Sequence, residues 1–186
     1  MDKDSNESVL HVYCDESKPH GRYILGVLIV HEQRIADDLL DRLNAFGKQD
    51  RTFSYHARND LAQGSSSQRT ANAFLSFIRE EFIYGNNRFA FAFERLQHKS
   101  EREAYLSLRD RMAKQARDGK SKVLVHRDRG TLSTPTQKLM PSFKEAGVEI
   151  LQYEKNKPTL ESRLISVVDF VLYDQLRWPS PEKAKK

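Results

Sequence analysis

The feature that most constrains this chain is a short apolar run near the N-terminus that ends abruptly in acid. Residues 11–14 run directly into Asp15, Glu16 and Ser17, and a turn containing proline and glycine leads to a second apolar run at 22–30. β-Branched and aromatic residues on both sides of such a turn are typical of a hairpin. We therefore predict a hairpin with Asp15 at the end of its first strand, where a carboxylate has no packing purpose.

Length and cysteine content limit what such a site can belong to. The chain has 186 residues, 38% of them hydrophobic, which suits a single domain, predicted over residues 1–178 with a basic tail at 179–186. The single cysteine, Cys14, excludes an intrachain disulfide and favours a reducing, cytoplasmic location. Residues 1–7 are polar, and no apolar run approaches the ~20 residues of a membrane span. We expect no membrane association, and the sequence leaves the oligomeric state open.

Basic residues are unevenly placed in a chain whose formal net charge is +5. The candidates for contacts with a polyanion are Lys114 and Arg117 in a basic segment, Arg127 and Arg129 on either side of Asp128, and Lys157. This distribution fits nucleic acid, either DNA or RNA, as a partner. It fits a solvated helix face equally well, because acidic residues are interleaved with the basic ones.

The rest of the chain alternates helical and strand patterns. Helical periodicity predicts helices over 32–46 with a stop at Gly47, from the serines at 65–67 to Gly85, from Ser100 to Gly119, and over 159–178. Apolar runs predict further strands at 88–94, 122–128 and 147–153, and prolines break the helical segment at 131–146. This order favours an α/β domain whose sheet begins antiparallel and continues parallel.

Two further aspartates lie at notable positions in these predicted elements. The strand at 122–128 ends at Asp128, and parallel pairing with the first strand would bring Asp128 beside Asp15 at the carboxyl edge of the sheet. Asp169 lies at the edge of the apolar stripe of the last helix, where a carboxylate needs a cation or donor. A salt bridge to Arg163 or Arg177 would satisfy it, and so would a metal shared with the other two aspartates.

These pieces together resemble a known family. Tyr13-Cys14-Asp15-Glu16-Ser17, Val125-His126-Arg127-Asp128-Arg129 and Ser166-Val167-Val168-Asp169-Phe170-Val171 resemble an uncharacterised family that opens with Asp-Glu-Ser-Gly and is grouped with the RNase H-like superfamily. The resemblance spans nearly the whole chain. It implies a five-stranded mixed sheet of order 3-2-1-4-5 with strand two antiparallel, flanking helices, and a site formed by Asp15, Asp128 and Asp169, with Glu16 as a fourth acid.

Clustered aspartates suit metal-dependent cleavage of phosphodiester bonds. Hard oxygen ligands favour Mg²⁺ or Mn²⁺, and such ions can activate water and neutralise the scissile phosphate. His56, in the polar segment after the first helix, could assist proton transfer or be an ordinary surface histidine. The sequence therefore predicts a divalent-metal-dependent nuclease.

The competing hypothesis is a module that keeps the scaffold and has lost catalysis. The family often carries a glutamate followed by lysine or histidine after the second strand, whereas residues 53–56 keep only the histidine, His56. Such a module would bind nucleic acid or another protein, and fold analogy cannot separate it from an enzyme.

Overall fold

In the computed structural model, residues 8–119, 121–154 and 157–177 are described, and they form a five-stranded mixed sheet flanked by helices. The strands are β1 (Val9–Ser17), β2 (Tyr23–Val30), β3 (Phe91–His98), β4 (Lys122–Asp128) and β5 (Val148–Tyr153). Their order is β3-β2-β1-β4-β5, with β2 antiparallel to both neighbours and β1, β4 and β5 mutually parallel. The predicted α/β class, strand order and strand directions are all confirmed.

Seven α-helices occur in the described part of the chain. They are α1 (Gln33–Gln49), α2 (Ala57–Asp60), α3 (Gln68–Ile78), α4 (Glu101–Gly119), α5 (Thr134–Gln137), α6 (Met140–Glu145) and α7 (Leu160–Arg177). Within the described ranges, none of them is long and apolar enough to cross a membrane. The predicted basic tail at 179–186 lies outside the described residues.

Strand pleating divides the core into two halves. Along β1, Tyr13 packs with residues of α1, α3 and α7 on one face, and Val12 and Cys14 pack with α4 and α6 on the other. Successive side chains of a strand point to opposite faces. Asp15 therefore shares the face of Tyr13, beneath α7, and Glu16 shares the face of Cys14, beneath α4.

Close approach of α7 to the sheet depends on Gly26 in β2. A Cβ atom at this position would lie 2.6 Å from Leu172 Cγ of α7, well inside normal contact distance. Glycine is thus required here for packing, and α7, which carries Asp169, can lie directly on the strands.

We expect Gly26→Ala to lower the free energy of unfolding by about 1–3 kcal/mol, because the added methyl group pushes α7 away from β2. Urea denaturation measures this loss. Gly130→Ala is the matched control, since its Cβ would meet Arg127 at an ordinary 3.7 Å. Equal stability of the two variants would contradict the role assigned to Gly26.

The predicted end of the first helix and the predicted start of the third strand are both wrong. The first helix continues past Gly47 to Gln49, and a Cβ at Gly47 would lie 2.8 Å from the ring of Tyr55. This glycine therefore makes room for a tyrosine and does not end the helix. The third strand begins at Phe91, because residues Asn86–Ala90 form a 3₁₀ turn that leaves Phe89 76% exposed.

Candidate active site at the carboxyl edge of the sheet

Asp15 and Asp128 lie at neighbouring strand ends. In the parallel pairing of β1 with β4, Cys14 is opposite Arg127, and the two aspartates come one residue later on each strand. Paired strands lie about 4.8 Å apart, and side chains at equivalent positions of two paired strands point to the same face of the sheet. The side chains of both aspartates therefore point to the α7 face. Asp15 is only 7% exposed. A small cavity of about 90 Å³ at these strand ends also touches both residues, and the rest of its lining comes from the α4 face. The fold thus places the two aspartates side by side at the carboxyl edge of the sheet.

Asp169 and His56 form a second pair beside α7. Asp169 is half-buried, its Oδ2 accepts a hydrogen bond of 3.1 Å from the backbone N–H of Ala57, and His56 Nδ1 lies 3.9 Å from the same oxygen. α7 packs on the face of β1 that carries Tyr13 and Asp15. The carboxylate is therefore oriented by backbone and has a histidine close enough to exchange a proton through a small movement or one water.

The loop that presents His56 is held by Asp60, an acid that no sequence pattern singled out. Asp60 is 2% exposed and accepts hydrogen bonds from the N–H and hydroxyl of Ser54, the N–H of His56 at 2.9 Å and the hydroxyl of Ser67 at 2.7 Å. Tyr55, directly before His56, has the left-handed φ of 61°. Such a conformation costs energy unless its surroundings impose it. Asp60 and Tyr55 thus fix the position of His56.

Glu16 and Arg127 lie on the opposite face of the sheet from Asp15. Glu16 accepts a hydrogen bond from the hydroxyl of Tyr23. Arg127 is 3% exposed, and its guanidinium donates to the hydroxyl of Tyr105 at 3.0 Å and to the carbonyl of Gly130 at 3.1 Å. These contacts anchor the end of β4, so a contact of Arg127 with nucleic acid stays a prediction.

Cys14 adjoins the same cavity but has no reactive form at neutral pH. Burial raises the pKa of its thiol to about 12. The thiolate is the nucleophilic species, so a protonated thiol is chemically inert here.

Arg129 and Lys157 lie close to the aspartates on the loops that follow β4 and β5. Arg129 Nη1 is 3.2 Å from Glu154 Oε1, and Lys157 Nζ is 3.1 Å from Glu154 Oε2. Both cations line a cavity of about 370 Å³. Arg129 directly follows Asp128, so these two cations lie at the carboxyl edge of the sheet, each beside Glu154.

Lys114 and Arg117 are placed far from the aspartates. The helix α4 starts at the acidic edge, where Glu101 contacts Lys18 just after β1, and it ends beside the first residue of β4. A rise of about 1.5 Å per residue puts Lys114 some 20 Å along the axis from Glu101. The two basic residues therefore form a separate surface at the opposite edge of the sheet.

The donor set is suited to a hard divalent cation held by few protein ligands. Within residues 8–119, 121–154 and 157–177, no group of three or more histidine, cysteine, aspartate or glutamate side chains is arranged to hold a metal ion. Mg²⁺ commonly takes one or two carboxylates and completes its shell with water and substrate phosphate. Asp15 and Asp128, on neighbouring strand ends, fit that pattern.

Comparisons with known proteins give little beyond this geometry. No protein-family model matches the chain, and no curated protein matches it. Among solved structures, the chain is similar to the PCNA:RNase HII complex from Archaeoglobus fulgidus, with a TM-score of 0.45 and 13% sequence identity over 96% of this chain and 79% of that chain. At that level of similarity, function has to be inferred from the residues of this protein.

Proposed function

We propose that the protein is a divalent-metal-dependent nuclease that hydrolyses phosphodiester bonds of DNA or RNA. The observation that carries this proposal is the placement of Asp15 and Asp128 at adjacent ends of the parallel strands β1 and β4, on the same face of the sheet. Open α/β sheets bind their ligands at this edge. A bound cation would offset the repulsion between two neighbouring carboxylates.

Each residue has a distinct proposed role. Asp15 and Asp128 would hold Mg²⁺ or Mn²⁺, with Asp169 as the third acid of the site. The ion would supply Lewis-acid activation of water and neutralise charge on the phosphate. His56 would carry a proton to or from the reacting oxygen, and Asp169 would help to position its ring. Glu16 supports the site from the other face of the sheet.

Cleavage assays with labelled single- and double-stranded DNA and RNA, with and without Mn²⁺, test the activity. We expect at least one of these substrates to be cleaved when Mn²⁺ is present and none when EDTA replaces it. Absence of cleavage on every substrate, in protein shown to be folded, would contradict the proposed nuclease.

Arg129 and Lys157 are the proposed phosphate contacts. We expect the double variant Arg129→Ala with Lys157→Ala to bind nucleic acid more weakly. The slope of log affinity against log salt concentration should fall by about 1.4–1.8, because each lost contact removes about 0.7–0.9. Fluorescence anisotropy at several salt concentrations measures the slope. An unchanged slope would contradict the assignment.

The parallel double variant Lys114→Ala with Arg117→Ala tests the basic surface on α4. These residues were also predicted from the sequence to bind nucleic acid. A reduced slope in this variant would mean that bound nucleic acid reaches the opposite edge of the sheet. An unchanged slope would leave them as a solvated helix face.

A second candidate function is a binding module without catalysis. It is favoured by the lack of a three-ligand metal group among the described side chains and by the hydrogen bond that Asp169 already accepts from Ala57. Metal-dependent melting separates the candidates, because an ion that binds only the folded state stabilises it by RT ln(1 + [L]/Kd) and so raises the melting temperature as the metal concentration rises. A nuclease predicts a rise that Asp169→Asn weakens, and a binding module predicts no rise. For either candidate we propose a cytoplasmic location and one domain over residues 1–178.

A further inference from the structure

A wide cavity of about 1080 Å³ lies along β5, the outermost strand on one side of the sheet. Val148 and Ile150 line it from the face of β5 that packs against α6, and Glu149 lines it from the other face. Since residues of both faces take part, the cavity follows the outer edge of the strand. The end of α4 and the helix α6 form its opposite wall. We call this space the β5 groove.

The outer edge of β5 has no partner strand in the described part of the chain. β5 pairs with β4 alone, and residues 148–152 make no backbone hydrogen bond to any other described segment. Backbone N–H and C=O groups of a strand point alternately to its two sides, so about half of those in β5 face the groove. At about 3.3 Å per residue, the six residues of β5 offer an edge of about 20 Å. An extended peptide of about six residues fits this edge.

One side of the β5 groove is an apolar floor. Ala116, Met140 and Ile150 are only partly buried there, and they pack on the core beneath them. Alternate side chains of a strand added to β5 would lie on this floor. The surface therefore selects a segment with apolar residues at alternate positions.

The rim of the β5 groove is positively charged. Its lining contains three basic residues, Arg117, Lys122 and Lys144, and one acidic residue, Glu149. Lys122 Nζ lies 2.7 Å from Glu149 Oε2, which leaves the exposed Arg117 and Lys144 as the excess charge. A segment with acidic residues beside its apolar ones is complementary to this arrangement.

Two other occupants match the β5 groove less well. A nucleic-acid strand would suit the positive charge, but it has no strand backbone to pair with β5 and no apolar side chains for the floor. A second copy of this chain would bring its own Arg117 and Lys144 to the same seam, and like charges at close range repel each other. The groove thus favours an acidic protein segment over either.

We propose that the β5 groove docks an acidic, extended segment of another protein, which joins the sheet as a sixth strand. The backbone of the segment would pair with β5, its apolar side chains would cover the floor, and its acidic side chains would contact Arg117 and Lys144. Neither Asp15 nor Asp128 lines the groove. Docking is therefore independent of the proposed nuclease function.

Fluorescence anisotropy with a labelled octapeptide tests the docking. The probe has a central Val-Thr-Ile-Thr and two glutamates at each end, and a matched probe replaces the glutamates with lysines. We expect the acidic probe to bind, and the lysine probe to bind at least about tenfold more weakly. A third probe, methylated on its central backbone nitrogens, should also bind at least about tenfold more weakly, because it cannot donate the hydrogen bonds of a strand.

Hydrogen exchange and two charge variants locate the binding site. The bound acidic probe should slow amide exchange within residues 148–152. Lys144→Glu should weaken binding of the acidic probe about three- to tenfold and should strengthen binding of the lysine probe. Lys138→Glu is the matched control, since Lys138 is an exposed lysine outside the lining of the groove, and it should bind both probes as wild type does.

The proposal is overturned if the folded protein does not bind the acidic probe, or if both charged probes bind equally. Binding that is unchanged by Lys144→Glu, or that leaves amide exchange at 148–152 as it was, would overturn it too. Displacement of the probe by a single-stranded oligonucleotide would identify the groove as a polyanion surface. A wild-type dimer that protects residues 148–152 would identify the occupant as a second copy, and either of these results rejects the acidic protein segment.

Discussion

Asp15→Asn should reduce metal-dependent cleavage by about a hundredfold or more while the stability of the metal-free protein changes little. The substitution keeps the shape of the side chain and removes the charge that would hold the ion beside Asp128. Loss of even an outer partner of a metal site commonly costs 10- to 100-fold, and a direct ligand costs at least as much. Removal of one of two adjacent negative charges also relieves repulsion, which offsets the lost contacts of a buried side chain.

Single-turnover cleavage with Mn²⁺ and urea denaturation of the same samples measure both halves of this prediction. Asp128→Asn should behave in the same way, because the two carboxylates lie on neighbouring strand ends. Asp38→Asn, on the exposed side of α1, is a charge-matched control that should retain activity. If Asp15→Asn cleaves as fast as wild type with Mn²⁺, Asp15 is not a metal ligand.

Mild acid should destabilise the protein through His126. This histidine is 2% exposed, stacks on Tyr13 with ring centres 4.5 Å apart, and has its Nε2 3.0 Å from His11 Nδ1. Burial, with a smaller contribution from His11, lowers the pKa of His126 to about 4. The folded state therefore keeps the ring neutral at pH values where the unfolded chain already binds a proton.

The direction and size of this loss of stability follow from the difference between the pKa values of His126 in the folded and unfolded states. The unfolded histidine titrates near pH 6.5, so the contribution of His126 is complete above that pH and is lost as the pH falls toward 4. Each unit of pKa difference is worth 1.36 kcal/mol, which gives a loss of about 2.5 kcal/mol between pH 7 and pH 4.5. Free energies of unfolding from urea titrations at several pH values measure this curve.

Replacing His126 with phenylalanine, whose ring does not bind a proton, isolates the contribution of His126 to the pH dependence of stability. His126→Phe should reduce the difference in stability between pH 7 and pH 4.5 by about 2.5 kcal/mol, whatever its stability at neutral pH. His31→Asn, at an exposed position after β2, should leave the pH dependence as it is in the wild type. An identical acid loss in His126→Phe and wild type would assign that loss to carboxylates instead.

The local sequence pattern was sufficient to predict strands and helices whose formation depends mainly on residues close together in the chain. The apolar runs that end at Asp15 and Asp128 predicted two strands with acid at their carboxyl ends, and both strands form as expected. The periodicity of the last helix likewise predicted α7 to within about a residue, well inside the usual uncertainty of helix ends. The pattern left the pairing of β1 with β4 conditional, and the strand order was implied only by the family resemblance; the structure shows that the two strands do pair.

Features that depend on distant contacts could not be predicted in this way. Gly47 lies inside a helix, and the ring of Tyr55 occupies the space that a larger side chain would need. Asp60 is buried and accepts hydrogen bonds from donors on both sides of it in the chain. Neither residue stands out in a window of sequence. Their roles arise from segments that meet only after the chain has folded.

The sequence by itself determined which residues are acidic or basic and at which strand and helix ends they occur. Tertiary structure decided which of them face the same space. Arg127 and Arg129 are equivalent in composition and two residues apart, yet Arg127 is buried beneath α4 and Arg129 is exposed beside Glu154. The physical reason is that burial depends on where the strand ends and on what packs above it, and that information is spread over the whole chain.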